Sequence, residues 1–147
     1  MSENEKKRLM DLTVLEAEEF EKMADIIRKK HNALATLDTT AIRSAVCDEL
    51  DELNRIASLE RERAALLKTT AISGKDLNNR SVMENRFGKE DLAEFRKRHS
   101  HLQKVFSKVQ SLNGISRELL NHSLNFIRQN IGILTDGGNR RLVDRKA

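Results

Sequence analysis

The sequence predicts an all-α protein, an antiparallel bundle of three long, coiled-coil-like helices in which the third is the longest and overhangs the other two. Three observations predict this class. None of the 147 residues is Pro, so no helix interior is interrupted. Charged residues make up 34% of the chain and aromatic residues only 3%, a balance typical of long helices. Hydrophobic residues recur three or four positions apart over most of the chain, which is the helical period.

The first helix is expected at residues 3–37, where an apolar stripe begins at Leu9 and continues through Phe20. Acidic residues come early in this segment and basic residues late, which suits the helix dipole. The stretch 37–40 reads as a turn, because Asp38 or one of the two threonines after it can accept a free N–H at the start of the next helix.

The second helix is expected at residues 40–72 and carries the most regular pattern in the chain. One row comprises Ile42, Val46, Leu50, Leu53, Ala57, Ala64, Leu67 and Ala71, and a second row, Ile56, Leu59 and Leu66, widens the same face. Such a pattern predicts knobs-into-holes packing, in which side chains of this helix fit between those of a neighbouring helix. Cys47 lies one position from this row and is expected to be a small apolar residue, buried or half-buried. Gly74 is expected to stop the helix, and residues 73–89 to form a connector with room for one short helix.

The third helix is expected at residues 90–135, ending at Asp136 and the two glycines after it. Residues 1–138 then form one helical domain, and residues 139–147 a flexible basic tail. At 1.5 Å per residue the first two helices reach about 50 Å and the third about 65–70 Å. The apolar stripe of the third helix continues beyond the length that the other two can cover. Contiguous exposed apolar surface of this kind predicts a partner-binding site.

The composition argues against enzymes, metal proteins and membrane proteins. The chain has one Cys, so it forms no intrachain disulfide, and a reducing cytoplasm fits it best. Its four histidines show no metal-ligand spacing, and no glycine loop joins a strand to a helix to cradle phosphate. We therefore expect no catalytic residues, no metal and no cofactor. The N-terminus lacks the apolar core of a signal peptide, and no long uncharged segment predicts membrane insertion.

The net charge of +4 divides unequally along the chain. Residues 1–71 hold 12 basic and 15 acidic residues, whereas residues 72–147 hold 15 basic and 8 acidic residues. The basic clusters at 96–99 and 140–141 leave nucleic-acid binding as a minor alternative, but Phe95 and Phe106 lie in the apolar stripe rather than on a base-stacking face. The basic excess is therefore interpreted as a binding segment for protein, with no nucleic acid as partner.

Three blocks of residues resemble a known family, the FlgN-type flagellar export chaperones of the type III secretion system. The first block is Ala33 to Asp38 at the end of the first helix. The second runs through Leu53, Ile56, Leu59, Glu60, Arg63, Leu66 and Leu67. The third is Leu112-Asn113 followed by the stretch from Leu119 to Ile127. Two positions depart from the family pattern: Ser116 stands where a second Asn is frequent, and Phe126 where Tyr is frequent.

The resemblance implies a cytoplasmic chaperone that binds hook-associated proteins, prevents their premature assembly and delivers them to the flagellar export gate. Amphipathic terminal segments of such clients would lie along the third helix. The expected partner-binding residues are Leu112, Ile115, Leu119, Leu120, Leu124, Phe126, Ile127, Ile131 and Leu134. For those before about residue 120, packing against the first two helices is the competing interpretation. In the family, the Tyr at the position of Phe126 is associated with docking to the export gate. Phe126 has the aromatic ring of that Tyr but lacks its hydroxyl.

One other class fits the composition, a stalk-like coiled-coil component of the export apparatus. A two-helix hairpin with a sustained heptad would favour it, whereas the connector at 73–89 and the Asn113-Gly114 pair argue against it. Gly114 is expected to allow either a bend or a close helix approach. The sequence leaves open which client is bound and whether the chain is a monomer or a homodimer.

Overall fold

The computed structural model describes the backbone of residues 1–134 and the side chains of residues 1–119 and 121. This part of the chain contains no strand, which confirms the all-α class. It has four α-helices, the shortest of them within the predicted connector: α1 (Glu3–Thr36), α2 (Thr39–Thr69), α3 (Arg80–Phe87) and α4 (Lys89–Leu134), with a 3₁₀ turn at Asp76–Asn78. The end predicted for the third helix at 135 and the basic tail predicted at 139–147 lie outside the described residues.

Local polar contacts define where α1 and α2 begin. The Ser2 hydroxyl accepts from the Glu5 backbone N–H, and the Glu5 carboxylate accepts in return from the Ser2 N–H, a reciprocal cap of α1. Leu37 takes a left-handed conformation (φ 53°) and closes α1. Asp38 then accepts from the Ala41 N–H at 3.0 Å and caps α2. Two residues are therefore enough to reverse the chain.

The end of α2 differs from the sequence prediction. The helix ends at Thr69, so the expected stop at Gly74 is wrong. Ala71 adopts a positive φ of 57°, and the Ile72 N–H donates to the Leu67 carbonyl at 2.9 Å. A left-handed alanine costs about 1–2 kcal/mol. Burial of the Ile72 side chain contributes roughly as much in the opposite direction, because a fully buried aliphatic side chain is worth about 1.5–3 kcal/mol.

Helix α1 is the shared partner of the two other long helices: the main helix contacts are α1 with α2 and α1 with α4. The pairs Arg8–Glu62 and Lys30–Glu49 show that α2 runs antiparallel to α1. Lys6 pairs with Asp91 near the start of α4, and His31 contacts Ser116 further along, so α4 runs parallel to α1. The difference in residue number between the two partners is the same in both contacts. The alignment of α1 with α4 is therefore constant between them.

Two clusters of buried side chains form the core. The central cluster joins the three long helices and comprises Ala17, Phe20, Met23, Ala24, Ile27, Ile56, Leu102, Val105 and Val109. The end cluster comprises Leu9, Ile72, Met83, Phe87, Leu92 and Phe95. Phe87 and Phe95 stack with ring centroids 4.9 Å apart, which ties α3 to α4. The segment between α2 and α4 thus closes one end of the molecule.

Helix α2 buries only part of the face predicted for it. Val46, Leu50 and Leu53, three members of the regular row, are exposed. Cys47 is also exposed, so the expectation that it is at least half-buried is wrong. The face turned to α1 is instead the neighbouring row, whose fully buried members are Ala45, Glu52 and Ile56. Ion pairs to α1 lie along this second row, and α4 packs on α1 without closing over the first row.

Candidate functional site

The first members of the predicted binding row on α4 lie beside the last turns of α1. Leu112 is half-buried and packs against the central cluster, which fits the competing interpretation for that residue. Ile115 is 47% exposed, and Leu119 is half-buried. These three side chains share one helix face, because they stand three and four positions apart. The side chains of the other six predicted members, Leu120, Leu124, Phe126, Ile127, Ile131 and Leu134, lie outside the described residues.

A polar contact fixes the base of this row to α1. His31 Nε2 lies 2.9 Å from the Leu112 carbonyl oxygen and 2.6 Å from Ser116 Oγ. A carbonyl only accepts, so Nε2 carries the proton and donates. Ser116 Oγ also donates to the same carbonyl at 3.1 Å, and the Ser116 side chain is buried. Ser116, one of the two departures from the family pattern, therefore anchors α4 to the last turns of α1.

A groove that the sequence analysis missed runs between α2 and α4, with α1 as its floor. We call it the α2–α4 groove. One cavity in it, of about 460 Å³, is lined by Leu34 of α1, Val46 of α2 and Arg117 of α4. A second cavity, of about 180 Å³, is lined by Phe20 of α1 and Phe106 of α4. Both cavities lie between the same three helices, α1, α2 and α4.

The smaller cavity contains a polar centre. Glu16 is 1% exposed, and its Oε1 accepts from Arg63 Nε at 2.7 Å. Burial raises the pKa of Glu16, and the Arg63 guanidinium opposes that rise. His99 stacks on Phe95, and its pKa is lowered by burial and then by the charge of Arg63. Glu16 Oε2 and His99 Nδ1 have no hydrogen-bond partner within the described part of the chain.

A second buried carboxyl group lies between α1 and α2. Glu52 is 1% exposed, and its Oε2 accepts from Arg55 Nη2 at 2.7 Å. Burial and a hydrogen bond to Glu19 raise the pKa of Glu52, and the same hydrogen bond lowers the pKa of Glu19. The two pKa shifts run in opposite directions because two carboxyl groups at close range in a poorly solvated site disfavour a second negative charge. This pair lies at the contact of α1 with α2 and lines neither of the two cavities.

The missed groove had a signal in the sequence. The row containing Val46 and Leu53 on α2 is as regular as a packing row, and periodicity identifies an apolar face without saying what covers it. His99 and His101 do face different ways, as their spacing predicts: His99 lines the α2–α4 groove and His101 a cavity on the other side of α4. His99 and His101 therefore lie on different sides of α4.

Among the described residues we find neither a metal-binding cluster nor a helix that could span a membrane. No group of three or more His, Cys, Asp or Glu side chains there is arranged to hold a metal ion. Among the described helices, none combines the length and the apolar composition that crossing a lipid bilayer requires. The features that remain are apolar surfaces and grooves between helices, which are the kind of site that binds protein segments.

Comparison with known proteins gives one match. No curated protein and no solved structure is significantly similar to the chain. The family described as FlgN protein matches residues 1–143, which is nearly the whole sequence. That family consists of flagellar chaperones and is not known for catalysis. The length of the match, together with the helical fold and the interhelical surfaces, shows that the chain belongs to the FlgN family of flagellar export chaperones.

Proposed function

We propose that this protein binds hook-associated flagellar proteins in the cytoplasm, prevents them from assembling early and delivers them to the export gate. Membership of the FlgN family supports the chaperone role in general. The proposal adds the class of client, the surface that binds it and the delivery step. It also takes the three long helices to form the antiparallel bundle predicted from the sequence, with α4 as the overhanging member.

The observation that carries the proposal is the length of α4 relative to α1. The Lys6–Asp91 and His31–Ser116 contacts fix the register of the two helices, and α1 ends at Thr36. In that register Thr36 is level with residue 121, and α4 continues to Leu134, about 20 Å further at 1.5 Å per residue. A helix that continues past its partners with an apolar sequence supports a binding role for that segment.

The mechanism follows from the chemistry of the clients. Terminal segments that order only on polymerisation can fold as amphipathic helices when they meet an apolar surface. A client helix would lay its apolar face on the row from Ile115 to Leu134, which would cover the surfaces that drive assembly. Release at the export gate would then expose them again. Phe126 is proposed to contact the client or the gate through its ring, without a hydroxyl hydrogen bond.

The stalk-like alternative has less support. It requires an unbroken two-helix hairpin, whereas the described chain has a third long helix, α4, and the short helix α3 between α2 and α4. The end cluster uses residues of α3 and of the segment before it, so this connection is a packed part of the fold. This packed connection favours a compact helical domain over an extended stalk.

The double substitution Leu124→Ala with Ile131→Ala tests the proposed binding row. Calorimetric titration with the terminal segments of hook-associated proteins should show binding at least tenfold weaker than to the unaltered chain, because two apolar contacts are lost. The helix content measured by circular dichroism should stay the same. Leu15→Ala, at an exposed position on α1, is the matched control and should bind normally.

Two results would count against the binding row. Loss of helicity in the double variant would support core packing at these positions instead. Unchanged client binding after removal of residues from about 120 onward would put the client elsewhere on the molecule.

A further inference from the structure

One row of α2 side chains is left uncovered by the described part of the chain. Val46, Leu50 and Leu53 in it are all exposed, Leu50 to 56%. The row continues into the half-buried Ala57 and has a charged residue at either end. We call it the 43–60 row, and its six members are Arg43, Val46, Leu50, Leu53, Ala57 and Glu60. They share one stripe of the helix because they stand alternately three and four positions apart.

The spacing of the 43–60 row is the same in both directions. Successive members stand 3, 4, 3, 4 and 3 residues apart, so a second α2 that runs antiparallel can match the row position for position. In that alignment Leu50 faces Leu53 of the second copy, and Val46 faces its Ala57. Two large side chains then meet at the centre, and a larger one meets a smaller one on each side. Alternation of this kind lets facing helix surfaces pack closely.

The charges at the ends of the row select the antiparallel orientation. Arg43 and Glu60 are both exposed. In the antiparallel alignment Arg43 of each copy faces Glu60 of the other, whereas a parallel alignment would place each residue against its own like charge. Arg63, the cation that lines the same cavity as Glu60, already donates to Glu16 at 2.7 Å. The row is therefore complementary to itself, which a twofold interface requires, because the same patch serves on both copies.

Apolar surface on α4 adjoins one end of the row. Phe106 is exposed and lines the same cavity as Glu60. Interfaces of stable dimers bury roughly 800 Å² on each partner, which is more than one row of side chains supplies. The uncovered apolar surface extends beyond α2 in this direction, because α4 packs on α1 without closing over the row.

We propose that the 43–60 row is the interface of a symmetric homodimer, in which the α2 helices of two copies of this chain pack antiparallel. Leu50 and Leu53 form the centre of that interface, and ion pairs between Arg43 and Glu60 close both of its ends. The inference goes beyond the proposed function and does not depend on a client, because the client row is assigned to α4.

Sedimentation equilibrium of the full-length chain tests the dimer. The mass should rise with concentration from the 16.8 kDa of one chain towards twice that value. Leu53→Asp should weaken self-association at least tenfold, because it brings a carboxylate to the centre of an apolar contact. Leu15→Asp introduces the same charge at a leucine of α1 that is 37% exposed, and this control should associate normally. A Tm close to that of the unaltered chain shows that each variant keeps the fold.

Exchanging the charges tests the alignment. Arg43→Glu and Glu60→Arg should each weaken self-association severalfold, because like charges then face each other at both ends of the interface. The double exchange places opposite charges together again and should restore association. Weakening by both single variants without restoration in the double variant would contradict the pairing of these two residues.

Cysteine cross-linking tests the orientation independently. Val46→Cys and Ala57→Cys are each made in a Cys47→Ser background, so that every chain carries one cysteine. In the antiparallel dimer position 46 faces position 57, whereas two copies of position 46 lie about 16 Å apart along the helix axis. Disulfides need α-carbons within about 7 Å, so oxidation should join the two variants to each other and neither to itself. Cross-linking of Val46→Cys to itself would indicate a parallel pair and overturn the inference.

The remaining outcomes separate the dimer from the proposed function. The mass of a single chain at every concentration overturns the dimer, and so does self-association that Leu53→Asp leaves unchanged. A monomeric chain in which Leu53→Asp weakens the binding of a client segment would assign the 43–60 row to the client, which also overturns the inference. The proposed function survives each of these results, because it rests on α4.

Discussion

At the scale of single residues, the buried carboxyl groups are the least expected feature of the protein. Glu16 and Glu52 lie on faces that helix patterning assigns to solvent, because a charged side chain is ordinarily exposed. Nothing in a single sequence distinguishes them from the many exposed glutamates of α1 and α2. Their burial depends on partners in another helix or turn, Arg63 for Glu16 and the Glu19–Arg55 pair for Glu52.

Glu52→Gln should stabilise the protein at pH 8. The folded-state pKa of Glu52 is raised, so its contribution to stability is present below the unfolded pKa and is lost as pH rises through the folded pKa. The side-chain amide of a glutamine can still donate an N–H to Glu19, and it does not ionise at pH 8. We expect a gain on the order of 1 kcal/mol at pH 8, falling towards zero at pH 4, measured by urea unfolding at both values.

Glu49→Gln is the control for this substitution. Glu49 pairs with Lys30 at 2.6 Å, so its replacement removes a charge without relieving a carboxyl pair and should not stabilise the protein. A Glu52→Gln variant that is less stable than the unaltered protein at pH 8 would show that the carboxyl pair is not strained.

At the scale of helices, the sequence predicted how many long helices there are but not which of the two rows on the predicted face of α2 is buried. The apolar period identifies α1, α2 and α4 because each stripe is sustained over many turns. On α2 two adjacent rows compete, and the less regular row around Ile56 is the buried one. The row through Leu50 is uncovered because α4 packs on α1, and such a tertiary choice has no local signal.

Gly114→Ala should stabilise α4. The sequence left open a bend or a close approach at this position, but a β-carbon there would meet nothing within 4 Å and the helix continues through it. Replacing glycine by alanine in an exposed helix interior is worth about 1 kcal/mol. We expect Tm to rise by about 2–4 °C in thermal unfolding followed by circular dichroism.

The same substitution at Gly88 should have the opposite sign. Gly88 also has open space around it, but its φ of 83° is a conformation that alanine adopts at a cost. Opposite signs at two equally uncrowded glycines would identify backbone conformation as the cause. A fall in Tm on Gly114→Ala would mean instead that the glycine is needed in α4.

At the scale of the whole molecule, the described core is confined to the first four fifths of the chain. The central and end clusters together run from Leu9 to Val109, with Leu112 packed on the former. Helix length alone predicted that the core would not extend to the end of the third long helix. A helix of 46 residues exceeds what the 34 residues of α1 can cover. Helix length could not predict which apolar residues would contact a partner, since an apolar stripe fits core and partner equally well.

A chain that ends after Asn121 should therefore still fold. All residues of the two clusters are retained, as is the contact of His31 with Ser116. We expect cooperative thermal unfolding with a Tm within about 5 °C of the full chain, since the described members of both clusters all precede the cut. A broad transition without a clear midpoint would show that residues beyond 121 are part of the folding unit.

The central position of α1 also bears on the order in which the protein is made. The ribosome releases α1 first and α2 soon after, and these two can pair through the two-residue link at Leu37 and Asp38. The other side of α1, which receives Leu102 and Val105, has no partner until most of the chain has been translated. During that interval the nascent protein displays its own apolar helix surface, so a protein that shields others itself passes through a stage in which it needs shielding.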